Sequence, residues 1–193
     1  MSRISQLSKD SLIYGVGGVL SKSVAFFLLP IYTRIFSPAE YGTIEMLTVI
    51  SSALGALMMM GMDSAQSMYF FKEKQAGKAA QGRLVSSILQ FRITWGILAI
   101  SIATLCAPFL NALLFEGQLR ATEFLAAFFA SFLLQIMTQS AEVMRLLFKP
   151  WSFVVTTISQ AALAGVFVLV GVMLLNQGLL GYFAGTALAS FFV

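Results

Sequence analysis

The sequence contains no histidine and a single cysteine, Cys106, and charged residues make up 10% of its 193 positions. Without histidine there is no Ser–His or Cys–His nucleophile, and metal sites built on His and Cys ligands are excluded. One cysteine cannot form an intramolecular disulfide. A soluble domain carries about 25% charged residues. A chain with so little charge, 59% hydrophobic residues and a mean hydropathy of +0.88 cannot cover itself with polar surface in water. Hydrocarbon is the solvent that suits it. The net charge of +4 does not indicate nucleic-acid binding, because the basic residues are scattered through short links between apolar runs rather than gathered in one patch.

A membrane span needs about 20 mostly apolar residues. The hydrophobic runs predict an all-α polytopic transmembrane bundle of about six helices, over residues 11–33, 41–62, 84–110, 122–144, 151–175 and 179–193. The third run has an alternative start near Gln90. The sixth is still apolar at Val193, where the sequence stops, and reads as a truncated helix within a fragment. The first run is too long for a signal-peptide core and has no small-residue cleavage pattern after it. Ser37-Pro38-Ala39-Glu40 is a capping box with proline at the first helical position, and Pro150 precedes the fifth span similarly. Links this short predict antiparallel neighbours that pack together.

Lysine and arginine counts set the expected orientation. Arg3, Lys9, Lys72, Lys74, Lys78, Arg83, Arg145 and Lys149 fall on one side, eight in all, against Arg34 and Arg120 on the other. The eight-residue side, with the N-terminus, is expected in the cytoplasm. Tyr32, Tyr41, Tyr69 and Trp151 fall near the predicted interfaces, whereas Trp95 does not.

Charge within a span costs roughly 2.5–3.5 kcal/mol for Lys or Arg at a helix centre. Lys22 lies about 16 Å into the first span at 1.5 Å per residue, near the midplane and too deep to snorkel comfortably. Tyr14, Gly18, Ser21, Lys22 and Ala25 share a small, polar face, with Phe26, Phe27 and Leu28 elsewhere. Lys22 either lines a cavity and meets an anion or pairs with a carboxylate of another helix. Arg92 belongs to the third span, and Gln135, Gln139 and Glu142 share a face of the fourth. Antiparallel packing brings Arg92 and Glu142 to compatible depths, where they pair or share a polar cavity; the alternative is that Arg92 snorkels. Glu45, Thr48, Ser52 and Gly55 form a polar-to-small stripe in which Glu45 is either a cavity carboxylate or a snorkelled interfacial one. Gly181 and Gly185 form GxxxG, most simply a close-packing motif. Pro30 is placed to kink the first helix near its end. Asp63 and Glu73 look too isolated to form a site.

Ser21-Lys22 followed by Phe27-Leu28-Leu29-Pro30-Ile31-Tyr32-Thr33-Arg34-Ile35-Phe36-Ser37-Pro38-Ala39-Glu40-Tyr41-Gly42 resembles the opening of bacterial polysaccharide flippases of the multidrug/oligosaccharidyl-lipid/polysaccharide superfamily. Gly61-Met62-Asp63-Ser64-Ala65 and Tyr69-Phe70-Phe71 are similar to the same N-terminal region. The resemblance covers roughly residues 10 to 75. It implies one lobe of a two-lobe, alternating-access flippase that moves an undecaprenyl-diphosphate-linked oligosaccharide across the bacterial cytoplasmic (inner) membrane for O-antigen or capsule biosynthesis. Lys22 would be the cation of the first helix that faces the cavity, and Arg34 the arginine just beyond that helix. Membrane lipids, a polysaccharide polymerase and its chain-length machinery would be its surroundings. No cofactor is implied, and the coupling ion, H+ or Na+, is left open.

The competing readings are a multidrug or cation-coupled antiporter lobe of the same superfamily, which favours a carboxylate-dominated cavity, and a non-transporting truncated membrane subunit. A membrane-embedded glycosyltransferase or polymerase would need a nucleophile, base or metal on a sizeable loop, and the short loops do not offer one.

Overall fold

The computed structural model describes residues 3–193, with side chains from Ser11 onward. The side chains of Arg3 and Lys9, which enter the orientation count, lie outside the described residues. Seven α-helices account for most of the described chain: α1 (Arg3–Ile35), α2 (Pro38–Met59), α3 (Met62–Lys72), α4 (Lys78–Leu114), α5 (Ala121–Leu146), α6 (Pro150–Leu169) and α7 (Gly178–Phe192). There is no strand among the described residues, and the fold is an all-α bundle. Five helical segments, 11–35, 38–76, 78–114, 121–146 and 150–174, are long and apolar enough to cross a membrane. The protein has the character of a multi-pass membrane protein. Large apolar side chains such as Phe26, Phe27, Leu105 and Phe109 point outward, as expected where hydrocarbon is the solvent.

The capping box forms as its sequence requires. The Ser37 hydroxyl accepts from the Glu40 amide at 3.3 Å, and the Glu40 carboxylate accepts from the Ser37 amide at 2.8 Å. The turn into α5 uses the same device in part, with Glu123 accepting from the Arg120 amide at 2.8 Å.

Two expectations are corrected. The link between the second and third spans is helical. α2 stops where Met60 and Gly61 take left-handed conformations (φ 42° and 71°). The chain resumes at once as α3, which buries Gln66 and Phe70, and continues through a 3-10 turn over Glu73–Ala76. Polar composition made this segment look like a loop, but buried Gln66 and Phe70, the Asp63–Arg92 pair and the Gln81 amide donating to the Phe70 carbonyl dock it. α4 then starts at Lys78; at 1.5 Å per residue its 37 residues reach about 55 Å, well beyond a hydrocarbon core of about 30 Å. Lys78 and Arg83 therefore sit on a helical extension.

The second correction concerns packing. The short link between α1 and α2 does not pack them together. α1 lies along α6, while α2 packs on α5 and α4. Gly17 of α1 meets Val154 of α6, and Leu28 of α1 meets Gly165 of α6. Leu28 is thus part of the docking face of α1, whereas Phe26 and Phe27 are exposed. The helix runs on through Pro30 without interruption. The core is an aromatic-rich cluster joining α2, α5 and α7, with Ile44, Leu47, Phe124, Phe128 and Phe183 all buried.

α6 and α7 approach most closely. α6 ends in a π-helical turn, Val170–Leu174, marked by the Leu175 amide donating to the Val170 carbonyl at 3.2 Å. A Cβ on Gly171 would sit 2.8 Å from the Gly181 carbonyl oxygen, and one on Gly185 would sit 2.6 Å from the Val168 nitrogen. The Gly181/Gly185 motif is therefore an intramolecular packing seam. Trp95 is also explained: its indole N–H donates to the Leu57 carbonyl at 3.3 Å, tying α4 to α2 instead of marking an interface.

Candidate functional site

Because α1 leans on α6 and away from α2, a cleft opens between them. Its volume is about 550 Å³, and its walls come from α1, α2, α5, α6 and α7. Ser21, Lys22 and Ala25 face it from α1, as the shared face of these residues predicts. Glu45 and Tyr41 face it from α2, one turn apart and in contact with each other. Lys22 lies about 20 Å from the Ile35 end of α1, and Glu45 about 10 Å into α2, so the two charges occupy different depths. Neither enters an ion pair among the described residues. Thr138 of α5 and Thr157 and Gln160 of α6 supply uncharged polar groups. At the Ile35 end, Tyr32, Phe36 and Tyr182 close the cleft with edge-on ring contacts, Tyr32 and Tyr182 lying 5.8 Å apart.

Beside this cleft is a second pocket of about 220 Å³, sharing Leu134, Gln160, Tyr182 and Thr186 with it. Thr48, Ser51 and Ser52 of α2 face Ser131 and Gln135 of α5 across it. The Glu45–Thr48–Ser52 stripe thus runs from one pocket into the other. Gly55, the last member, allows α5 to approach: a Cβ there would meet Gln135 Nε2 at 2.7 Å and Ser131 Oγ at 2.9 Å. The Ser131 hydroxyl donates to the Ser51 carbonyl at 2.7 Å and locks the two helices.

A third polar region lies toward the far end of α5 and is buried. Arg92 is 4% exposed, and its Nη2 donates to the Asp63 carboxylate of α3. The expected Arg92–Glu142 pair is not formed. Glu142 instead takes Arg145 on its own helix, 2.9 Å away, while remaining within electrostatic reach of Arg92 and Asp63. The reason is the helical state of the segment after α2, which carries Asp63 into the α3–α4 seam. Gln139 Nε2 donates to Gln66 Oε1 at 3.3 Å, one α3 turn along from Asp63. Arg92 Nε and Nη1, Gln135 Oε1 and Gln139 Oε1 are buried without a protein partner. Gln135 and Arg92 share the wall of a small cavity of about 10 Å³, so Gln135 stands between the pocket of about 220 Å³ and the ion pair.

Of the residues singled out in the sequence, Lys22, Glu45 and Gln135 line the two connected pockets, whereas Arg92, Gln139 and Glu142 belong to the buried network. Arg34 is exposed at the end of α1 and lines neither pocket. Asp63, set aside as too isolated, is the partner of Arg92, and Gln66, Gln160, Tyr182 and Thr186 were missed. Gln160 carried a usable signal, as an amide in the interior of an otherwise apolar span. Asp63 and Gln66 carried one too, three residues apart as on one helical face. Among the described residues no three His, Cys, Asp or Glu side chains come together as a metal site would require.

The cleft offers one cation, one carboxylate, several hydroxyls and amides, and an aromatic end wall. No family model, curated protein or solved structure matches this chain.

Proposed function

We propose that this protein forms one lobe of a flippase for an undecaprenyl-diphosphate-linked oligosaccharide in the bacterial inner membrane, serving O-antigen or capsule synthesis. The observation that carries the reading is the position of Lys22, in the wall of a largely apolar cleft between α1 and α2 and without an ion-pair partner among the described residues. A diphosphate leaving water needs a cation to offset its desolvation, and lysine suits a phosphate as a point charge. Hydroxyls and amides of Thr48, Ser52, Gln160 and Thr186 suit sugar hydroxyls. The polyprenyl chain would stay in the lipid outside the cleft. The resemblance of residues 10 to 75 to polysaccharide flippases supports the same substrate class. In this reading the end bearing Lys72, Lys74, Arg145 and Lys149 faces the cytoplasm, and the protein acts beside a polysaccharide polymerase and its chain-length machinery. Arg34, outside the cleft walls, would meet the substrate only at the mouth.

Glu45 in the same cleft favours a second reading, an ion-coupled antiporter lobe using H+ or Na+. One experiment separates the two. Surface polysaccharide, drug or ion exchange, and membrane insertion are measured for the wild type, Lys22→Ala and Glu45→Gln in a strain that depends on the protein. Loss of export in inserted Lys22→Ala supports the flippase. Export unaffected by Lys22→Ala, with drug or ion exchange lost in Glu45→Gln, supports the antiporter. Inserted protein with neither activity altered would make it a non-transporting subunit.

A further inference from the structure

A groove of about 390 Å³ lies outside the cleft and away from Lys22 and Glu45. α6 packs on α1, α5 and α7 but not on α4, so the first half of α4 and the last turns of α5 diverge from the start of α6. Val85 and Leu89 of α4 form one wall, and Val143 and Leu147 of α5 the other. Gln139 closes the deep end, and Lys149 and Ser152 stand at the mouth. Lys149 is the only charged lining residue and enters no ion pair among the described residues.

The mouth is also the N-terminus of α6, a 20-residue helix. Its cap residue is Lys149, which makes no side-chain capping bond, and Pro150 follows with no N–H to offer. The Phe153 amide donates to the Lys149 carbonyl, leaving the Trp151 and Ser152 amides at the positive end of the helix dipole. Such a terminus favours an anion. The flanks are cationic as well. Lys78 and Arg83 lie at the start of α4 on the same end of the bundle, whereas Arg145, beside the mouth, is already paired with Glu142. Trp151, 66% exposed, occupies the position of an interfacial anchor.

An apolar groove in a membrane protein, open at a cationic mouth, complements a molecule with an anionic head and an apolar tail. We infer that this groove binds an anionic phospholipid, with its phosphate at Lys149 and the α6 N-terminus and one acyl chain along Val85, Leu89, Val143 and Leu147.

The test is native mass spectrometry of the full chain, delipidated in detergent and offered equal amounts of phosphatidylglycerol and phosphatidylcholine. The wild type is expected to retain phosphatidylglycerol in preference. Lys149→Gln should lower that preference about fivefold. Ser140→Trp, at an exposed groove-lining position, should fill the groove and reduce retention of both lipids. Lys72→Gln, a cation of α3 outside the groove, should leave the preference unchanged. Retention unaffected by both groove variants would overturn the assignment. So would an equal loss in Lys72→Gln, which would mean diffuse attraction to the whole cationic end.

Discussion

Arg92 and Asp63, 29 residues apart in sequence, meet inside the bundle where α3 crosses α4, and Arg92 is almost completely withdrawn from solvent. Removing one partner of a buried pair leaves an uncompensated charge and costs roughly 3–5 kcal/mol. Asp63→Ala should therefore lower the thermal midpoint in detergent markedly. Glu142→Ala should cost under about 1 kcal/mol, because its partner Arg145 is half exposed. Comparable losses in the two variants would mean that Glu142 shares the burden of neutralising Arg92.

The α6–α7 seam predicts a position-specific intolerance to a single methyl group. A Cβ at Gly171 or Gly185 meets main-chain atoms of the opposing segment at 2.8 and 2.6 Å, and main chain cannot swing aside as a side chain does. Overpacking of this kind costs about 1–3 kcal/mol. Gly171→Ala and Gly185→Ala should each destabilise the protein in thermal unfolding. Gly15→Ala, with nothing within 4 Å of the new atom, should be neutral or slightly stabilising through helix propensity.

Ser37 and Glu40 predict a smaller effect at the start of α2. Ser37→Ala removes the acceptor of the Glu40 amide and should cost about 1 kcal/mol. Ser37→Asp should restore most of it, since an aspartate caps equally well; the same unfolding measurement checks both.

What was legible in the sequence, and what was not, follows from the range of each interaction. Helical spans and the Ser37–Glu40 cap depend on neighbours within one or two turns, and they lie close to where hydropathy and capping rules place them. That Ser21, Lys22 and Ala25 share one face was readable from their helical spacing, and all three line the same cleft. The partner of Arg92 was not, since it depends on whether Met62–Lys72 is helix or loop. That segment is polar enough to look like a loop, yet Gln66 and Phe70 dock it. The cleft itself required knowing that α1 rests on α6 through Gly17–Val154 and Leu28–Gly165, contacts between residues more than a hundred positions apart. Helix order alone favoured α2 as the neighbour of α1. Trp95 looked out of place as an interface aromatic until its hydrogen bond to Leu57 placed it between two helices.

The most direct test is whether Lys22 faces an aqueous, anion-binding space. Cys106 is the only cysteine, so a Cys106→Ser background permits Ala25→Cys, in the same cleft wall as an intact Lys22, and, for comparison, Phe26→Cys on the exposed apolar face of α1. The measurement is the rate of modification by a charged, water-soluble thiol reagent in membrane vesicles, with and without undecaprenyl diphosphate. Fast labelling at position 25, slowed by the diphosphate only while Lys22 is present, with little labelling at position 26, is the predicted result. Equally slow labelling at both positions, or labelling at 25 that the diphosphate leaves unchanged in the presence of Lys22, would contradict it.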